Sequence, residues 1–512
     1  MEVRGTTCTN NACPYPSHRR IRVRPLQLFL LFGCVAGAML STASPAFAQT
    51  GTETGTETAL SQARLWVLIC SALVFLMQAG FSCFEVGVVQ KKNATGVAIK
   101  NLVDWVIVSP AFFFVGFGLM FGTSLWGFIG TDLFALSGIE DSAGNGLGWT
   151  FFLFQMAFAG TAATIVSGAM SERTKFLPYV LVALMAGILV YPVVGHWIWG
   201  NLFYSGNTPW LAQLGFHDFA GSTVVHTTGA TIAFVGVAMV GPRIGRYDEA
   251  GNLRHLTSNN YSFAVLGVFV LWFGWWGFNG GSAMAFNDNV GKIILNTNLA
   301  GAAAGLSAYV HARFFNDREA ATDKFIGGIL GGLVAITAGA DILSPLTSYL
   351  LGLIAGVVHN LAFDLMNRLR LDDPVGAIPV HGFCGVLGTI WVALAGPADA
   401  LEHARPLQLG VQILGASAVI LWSGTCTFAY FSVLKRTTGL RVSPQEEREG
   451  LNILGSTAKF ATKAQTLSTA EIISILQYQE TEEKETLKEA QSEVAASLPP
   501  SPPSPSGSGE PE

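Results

Sequence analysis

Asp218-Phe219-Ala220-Gly221-Ser222-Thr223-Val224-Val225-His226-Thr227-Thr228-Gly229 opens a stretch that carries no Asp, Glu, Lys or Arg until Arg243. A helix needs ~20 mostly apolar residues to cross ~30 Å of hydrocarbon, and residues 219–241 meet that length. Ten more stretches of the same kind surround it. The predicted spans are 62–89, 101–122, 149–170, 176–200, 219–241, 261–281, 292–315, 325–342, 346–367, 374–397 and 408–434. The fold class is therefore an all-α membrane protein with eleven transmembrane helices.

The composition agrees. Of 512 residues, 50% are hydrophobic and 12% charged, where a soluble domain carries about 25% charge. That excludes a string of soluble domains and disorder along the whole chain, and 7 Cys in this length exclude a disulfide scaffold. The net charge is −5, and residues 435–512 hold 8 Lys/Arg and 12 Asp/Glu, so most of it belongs to the tail. No basic patch points to nucleic acid.

The N-terminus reads as a leader. His18-Arg19-Arg20-Ile21-Arg22-Val23-Arg24 is a positive segment, residues 28–40 are apolar, and Ala46-Phe47-Ala48 offers small residues for cleavage. Cys8, Cys13 and Cys34 would leave with it. Cys70, Cys83, Cys384 and Cys426 lie in apolar spans without metal or redox spacing. The expected organisation is a signal peptide over 1–48, the membrane domain over 49–435 and a cytoplasmic tail over 436–512.

Loop charge sets the orientation. One set of alternate loops holds Lys91, Lys92, Lys100, Arg173, Lys175, Arg243, Arg246, Arg254, Arg313, Arg318, Lys324, Arg368 and Arg370, while the other holds Lys292 and Arg405. Positive loops stay cytoplasmic, which predicts N-out and C-in. Gly and Ala runs such as Gly301-Ala302-Ala303-Ala304-Gly305 predict tight helix packing.

Ionisable residues deep in a span are costly and are candidates for function. Glu85, His196, His226, His359 and His381 are such residues. His226 follows Asp218 by eight residues, ~12 Å inward from one face at helical rise. His381 follows Pro374 by seven, ~10 Å inward from the other. Five spans and then five more, each set ending on a central histidine, predict an inverted repeat with the substrate path at its interface. His196 and His359 read as core histidines bonded to nearby backbone. Asp218 precedes a helix start and reads as a buried cap for unpaired N–H groups. Glu85 is open between helix packing and function.

Aromatic residues gather toward the outer ends of three spans: Phe154-Gln155-Met156-Ala157-Phe158, Trp197-Ile198-Trp199-Gly200 and Trp272-Phe273-Gly274-Trp275-Trp276-Gly277-Phe278-Asn279. An interfacial aromatic belt explains some of them. A cation–π site for a small cation is the sharper reading.

These residues resemble the signature of the ammonium transporter (Amt/Mep/Rh) family, on its Amt branch. The similar segments are 218–226 with Gly241-Pro242-Arg243, Ala79-Gly80-Phe81, Gly277-Phe278-Asn279-Gly280-Gly281-Ser282, and Asp372-Asp373-Pro374 before Val380-His381-Gly382. The resemblance runs from about residue 60 to about 452. It implies a plasma-membrane homotrimer with one pore per protomer, serving nitrogen uptake and needing no cofactor or metal. It further implies that Phe158, Trp199 and Ser282 recruit ammonium, that Phe158 and Phe278 close the pore, that His226 and His381 line it beside Trp275, and that Asp218 is structural.

The chemistry is coherent. Ring faces and a hydroxyl bind a small cation, while an apolar pore penalises any ion that keeps its charge by several kcal/mol. Ammonium can shed a proton and potassium cannot, so ammonia and proton would cross separately.

The tail begins with Arg441-Val442-Ser443-Pro444-Gln445-Glu446-Glu447-Arg448-Glu449-Gly450-Leu451, which resembles the family's tail. Asn452 and Gly455 depart from its Asp and Glu-His-Gly pattern. Ser468-Thr469-Ala470-Glu471 is a capping-box pattern before a charged helix to about 496, and 499–512 has a disordered composition. A PII-type regulatory protein binding there and a merely solvated extension are both open. The rival functions are an ammonium sensor acting through the tail, a passive ammonia channel of Rh type, and a haem enzyme. The last would need histidines paired along one helix, whereas His226 and His381 stand alone in theirs.

Overall fold

A computed structural model describes residues 54–140, 146–315, 318 and 320–451. The leader, residues 468–496 and the stretch 499–512 lie outside the described residues, as do Asn452 and Gly455. Among the described residues the long helices are, in chain order, α1 Thr54–Val88, α2 Lys91–Phe121, α3 Gly148–Ala169, α4 Phe176–Trp199, α5 Ser222–Val240, α6 Tyr261–Gly281, α7 Asn289–Phe315, α8 Ala321–Ile336, α9 Pro345–Arg368, α10 Ile378–Ala395 and α11 Arg405–Thr437. Among the described residues, ten of these are long and apolar enough to cross a membrane.

The exception is α8. The sequence predicts a span over 325–342, yet the helix ends at Ile336 after 16 residues, ~24 Å. Its continuation is held by other bonds. Phe219 N donates to Ala338 O and Ala220 N to Thr337 O, both at 3.0 Å. Asn296 Nδ2 donates to Ala340 O (3.0 Å) and Leu343 O (2.9 Å). Irregular backbone at membrane depth survives only where its polar groups are satisfied by protein, and here they are.

α2 also differs, beginning at Lys91 instead of near 101. Lys100 and Asp104 are fully buried within it and Asn101 nearly so, and the run 91–100, expected as loop, is helix. Lys324 is likewise buried in α8, where Nζ meets Asp364 Oδ1 at 2.7 Å. Lys91, Lys92, Lys100 and Lys324, all expected in loops, are thus helical. The all-α expectation meets one small departure, an antiparallel hairpin pairing Ser124–Leu125 with Ile129–Gly130.

The bundle is apolar outside and mixed within. Leu65, Phe269, Phe314 and Leu421 are more than half exposed, while Thr, Asn and His side chains fill the interior. α1 packs along α6 so closely that a Cβ on Gly267 would lie 2.3 Å from Phe84 N, the close approach that small residues permit.

Among the described residues, those up to Arg441 form one compact unit and those from Val442 a second. The first runs past the expected boundary at 435. Arg441 donates to Val240 O (3.2 Å) and Pro242 O (2.7 Å), and Lys175 N to Leu440 O (2.9 Å). In the second, Pro444–Glu449 is a helix with a capping box between Ser443 and Glu446.

Candidate functional site

His226 and His381 each sit in a π-helical turn that opens a helix: Ser222–Thr227 leads into α5 and Ile378–Phe383 into α10. In the first turn His226 N donates five residues back, to Gly221 O at 3.0 Å. The Thr227 and Thr228 hydroxyls bond Ser222 O (2.9 Å) and Thr223 O (3.3 Å), satisfying carbonyls that the wide turn displaces.

An aspartate precedes each turn. Asp218 is 4% exposed; its Oδ1 accepts from Gly221 N (2.9 Å), and Oδ2 accepts from Thr223 N (2.8 Å) and Val224 N (2.9 Å). Gly221 has φ +110, a left-handed conformation, and a Cβ there would meet Val225 at 2.7 Å and Trp199 at 3.0 Å. Only glycine turns the chain there without strain. Asp373 accepts from Ile378 N at 2.7 Å and Val375 N at 3.3 Å.

The two turns bring the histidines together. Nδ1 of His381 lies 3.2 Å from Nδ1 of His226, with ring centroids 5.1 Å apart and planes 22° from parallel. A hydrogen bond there needs one Nδ1 protonated and the other bare, so the neutral rings hold opposite tautomers. His226 is fully buried, and its Nε2 has no hydrogen-bond partner among the described residues.

Aromatic rings continue the file beyond His226. Trp275 lies 5.2 Å away at 25° and Phe278 5.5 Å away at 26°. Phe278 stacks on Phe158 at 3.9 Å and 15°, and Phe158 meets Trp199 edge-on at 6.1 Å. Their polar handles are committed elsewhere. Trp275 Nε1 donates to Thr337 Oγ1 (2.9 Å) and Trp199 Nε1 to Asp218 O (2.7 Å). Ser282 Oγ donates to Phe278 O at 2.8 Å, which leaves its oxygen lone pairs as acceptors. Trp199, Ser282, Phe158, Phe278, Trp275, His226 and His381 thus form one connected set, with Asp218 beneath Trp199. Beyond His381 lies a cavity of about 10 Å³ lined by Phe81, Glu85, Leu330 and Val380 as well as His381 itself.

The other histidines stand apart. His196 is bonded at both nitrogens, to Met120 O (2.9 Å) and Ser124 Oγ (2.8 Å). His359 Nδ1 meets the Asn360 side chain at 3.1 Å, where backbone was expected.

Sequence reasoning missed a charged cluster at the far end of α5. Arg243 bonds Asp372 through N, Nε and Nη2 (2.8–2.9 Å) and also bonds Glu172. Arg246 Nε lies 3.3 Å from Asp372 Oδ1. Glu172 Oε1 accepts from Asn93 Nδ2 (2.9 Å) and Gln90 N (3.0 Å). Burial would raise the Asp372 and Glu172 carboxyls, but the Arg243 guanidinium outweighs it and holds both below the usual carboxylate range. Burial lowers Arg173 to about 10. The cluster joins the end of α5 to the start of α10, the helices of His226 and His381. Ser171-Glu172-Arg173, a charged tripeptide between two apolar spans, was the available signal.

The model of the Ammonium Transporter Family matches residues 65–459. The chain is 40% identical over 406 residues to Ammonium transporter Amt2 of Archaeoglobus fulgidus, covering 76% of this chain and 86% of that protein. It is 36% identical over 421 residues to Ammonium transporter 1 member 3 of Solanum lycopersicum, covering 76% and 90%. Among solved structures, a protein named Sensor Amt Protein superposes with a TM-score of 0.76 at 44% identity, covering 78% of this chain and all of that one.

Proposed function

Since the chain belongs to the Ammonium Transporter Family, on its Amt branch, and is a multi-pass membrane protein of a transporter rather than an enzyme family, we propose that it moves ammonium across the membrane by parting it into ammonia and a proton. The observation that carries this reading is the 3.2 Å contact between the histidine Nδ1 atoms beneath the stacked Phe158 and Phe278 rings.

Recruitment is by Trp199, Phe158 and Ser282. The rings attract the cation through their faces, and the Ser282 oxygen accepts one of its N–H bonds. Few polar contacts are on offer, so an ion that cannot give up its charge gains little for the water it loses. Phe158 and Phe278 are the gate, a stacked pair worth about 0.5–1.5 kcal/mol beyond the burial of its rings. Past the gate, Trp275 and the histidines line a path too apolar for an ion, where an imidazole nitrogen can hold ammonia and the pair can pass its proton. Asp218 fixes the turn that aims His226.

The wider arrangement is N-out and C-in with an inverted repeat over the first ten spans, in a homotrimer at the plasma membrane serving nitrogen uptake. The leader over 1–48 is removed, and the tail over 436–512 is either the binding site of a PII-type regulator or a solvated extension. Purified protein in proteoliposomes, given ammonium and potassium gradients in turn, tests the reading. It predicts current with ammonium alone. Ammonia flux without current identifies a gas channel, and binding without flux identifies a sensor.

A further inference from the structure

On the side of His381 away from the aromatic gate, the lining changes character. The cavity of about 10 Å³ beside His381 holds about one water, and its other ionisable wall is the Glu85 carboxyl. Glu85 is 2% exposed. Oε2 takes both of the side chain's hydrogen bonds among the described residues, from Asn101 Nδ2 at 2.9 Å and Ser167 Oγ at 3.3 Å, which leaves Oε1 unengaged there. Gly168 makes room for Oε1, since a Cβ there would lie 2.9 Å from it.

The charges around Glu85 do not close. From α2 come Lys100 and Asp104, both fully buried, and Tyr179 of α4 donates its hydroxyl to Asp104. Lys100 Nζ has no hydrogen-bond partner among the described residues and lies 5.0 Å from the centre of the Tyr179 ring. Farther toward the end of the bundle, Arg173, Arg243 and Arg246 offset Glu172, Asp372 and Asp373. That leaves two buried carboxyls, Glu85 and Asp104, against the one Lys100 ammonium. An uncompensated buried charge costs several kcal/mol. The cluster is balanced when it holds one more proton or one small cation; among the described residues Asp104 Oδ2 also lacks a hydrogen-bond partner, but of the two carboxyls only Glu85 lines the cavity beside His381.

We propose that Glu85 is the site where ammonia and its proton recombine, an inference that rests on the separated-transport reading above. Ammonia leaving the histidine pair takes the proton from Glu85 Oε1: an O–H bond breaks, an N–H bond forms, and ammonium stands paired with the carboxylate. Ammonium then leaves toward the inner solution. The proton left on the histidine pair passes from His381 Nε2, through water in the cavity, to Oε1 and restores the acid. No other reactant is consumed.

The test uses the full chain in proteoliposomes and reads ammonium current and ammonia permeation (as lumenal pH) separately. E85Q is expected to lower the current about 100-fold, the lower end of what a positioned proton donor contributes, while ammonia permeation and thermal stability hold. E85D is expected to restore most of the current. Unchanged current in E85Q overturns the inference, and so does a parallel loss of current, permeation and stability, which a packing role produces. If E85Q does not fold, infrared difference spectra of the unmodified protein decide. Ammonium, not potassium, must change the carboxylic-acid C=O band, and an unchanged band overturns the proposal. An unmodified protein without ammonium current sinks both readings. Current that needs the histidines but not Glu85 sinks only this one.

Discussion

The turns that carry His226 and His381 are built alike and set in unlike surroundings. Each is a π-helical turn opened by an aspartate that accepts backbone N–H groups. At the first, Asp218 is buried, takes three such bonds and stands under Trp199. At the second, Asp373 takes bonds at 2.7 and 3.3 Å, and its neighbour Asp372 anchors the turn to Arg243. His226 is hemmed by Trp275 and Phe278, whereas His381 faces a small cavity that holds a carboxyl. One device thus delivers a ring to a dry aromatic half and another to a half with ionisable groups. The lesson is that the turn fixes where a histidine points, and the neighbouring helices decide what it meets.

Breaking the pair itself has the largest expected effect. His226→Leu with His381→Leu fills the same volume without any proton-carrying nitrogen. Ammonium-selective current in proteoliposomes should fall by about 100-fold or more, with protein yield and thermal stability little changed. A double variant that keeps selective current contradicts the proposed mechanism.

The anchor beneath the second turn comes next. Removing one partner of a buried ion pair costs about 3–5 kcal/mol, so Asp372→Asn should lower the unfolding temperature in detergent clearly at neutral pH. Its pH dependence has a definite sign. Asp372 and Glu172 have folded pKa values below their unfolded ones, so their stabilisation is present above about pH 4 and is lost as pH falls through the depressed values. The gap between variant and unmodified protein should therefore narrow on acidification from pH 4 downward. A gap that widens there would refute the assignment.

The aspartate caps sharpen the comparison directly. Asp218→Asn weakens three charge-assisted bonds in a buried site, for an expected cost of about 3 kcal/mol, and Asp373→Asn weakens fewer and should cost about 1 kcal/mol. Calorimetry of the two variants measures the difference. Equal losses would mean that the two turns are not held in the unequal way their hydrogen bonds indicate.

Much of this was legible before any coordinates. The spans 149–170, 176–200 and 261–281 fall within a residue of the observed helices because long uncharged runs admit little else. His226 and His381 stood out as ionisable groups far from any charge. Other features depend on contacts between distant segments. α8 stops at Ile336 because Phe219 and Ala220 claim the next carbonyls, a pairing that no local pattern announces. Lys100 looks like loop because it is charged, while Glu85 and Tyr179, the partners that bury its neighbours Asn101 and Asp104, come from other helices. The stacking of Phe158 on Phe278 joins α3 to α6, and only family resemblance could suggest it from sequence. The π-helical turns are of the same kind, since each needs side-chain or cap bonds to hold its widened carbonyls.

Ser282 offers the finest distinction between the two halves. Its hydroxyl hydrogen is committed to Phe278 O at 2.8 Å, so the oxygen can only accept; in the proposed mechanism such an oxygen helps a cation before the Phe158–Phe278 gate and does nothing for ammonia after it. Ser282→Ala removes one hydrogen bond to a charged ligand, worth about 1.5–3 kcal/mol at full strength and less at this half-buried position. Half-saturation for ammonium should rise about threefold to tenfold, while the current at saturation stays as it was. A fall in saturating current with unchanged half-saturation would move Ser282 from the recruiting half to the conducting half, and the division of labour between the two turns would have to be redrawn.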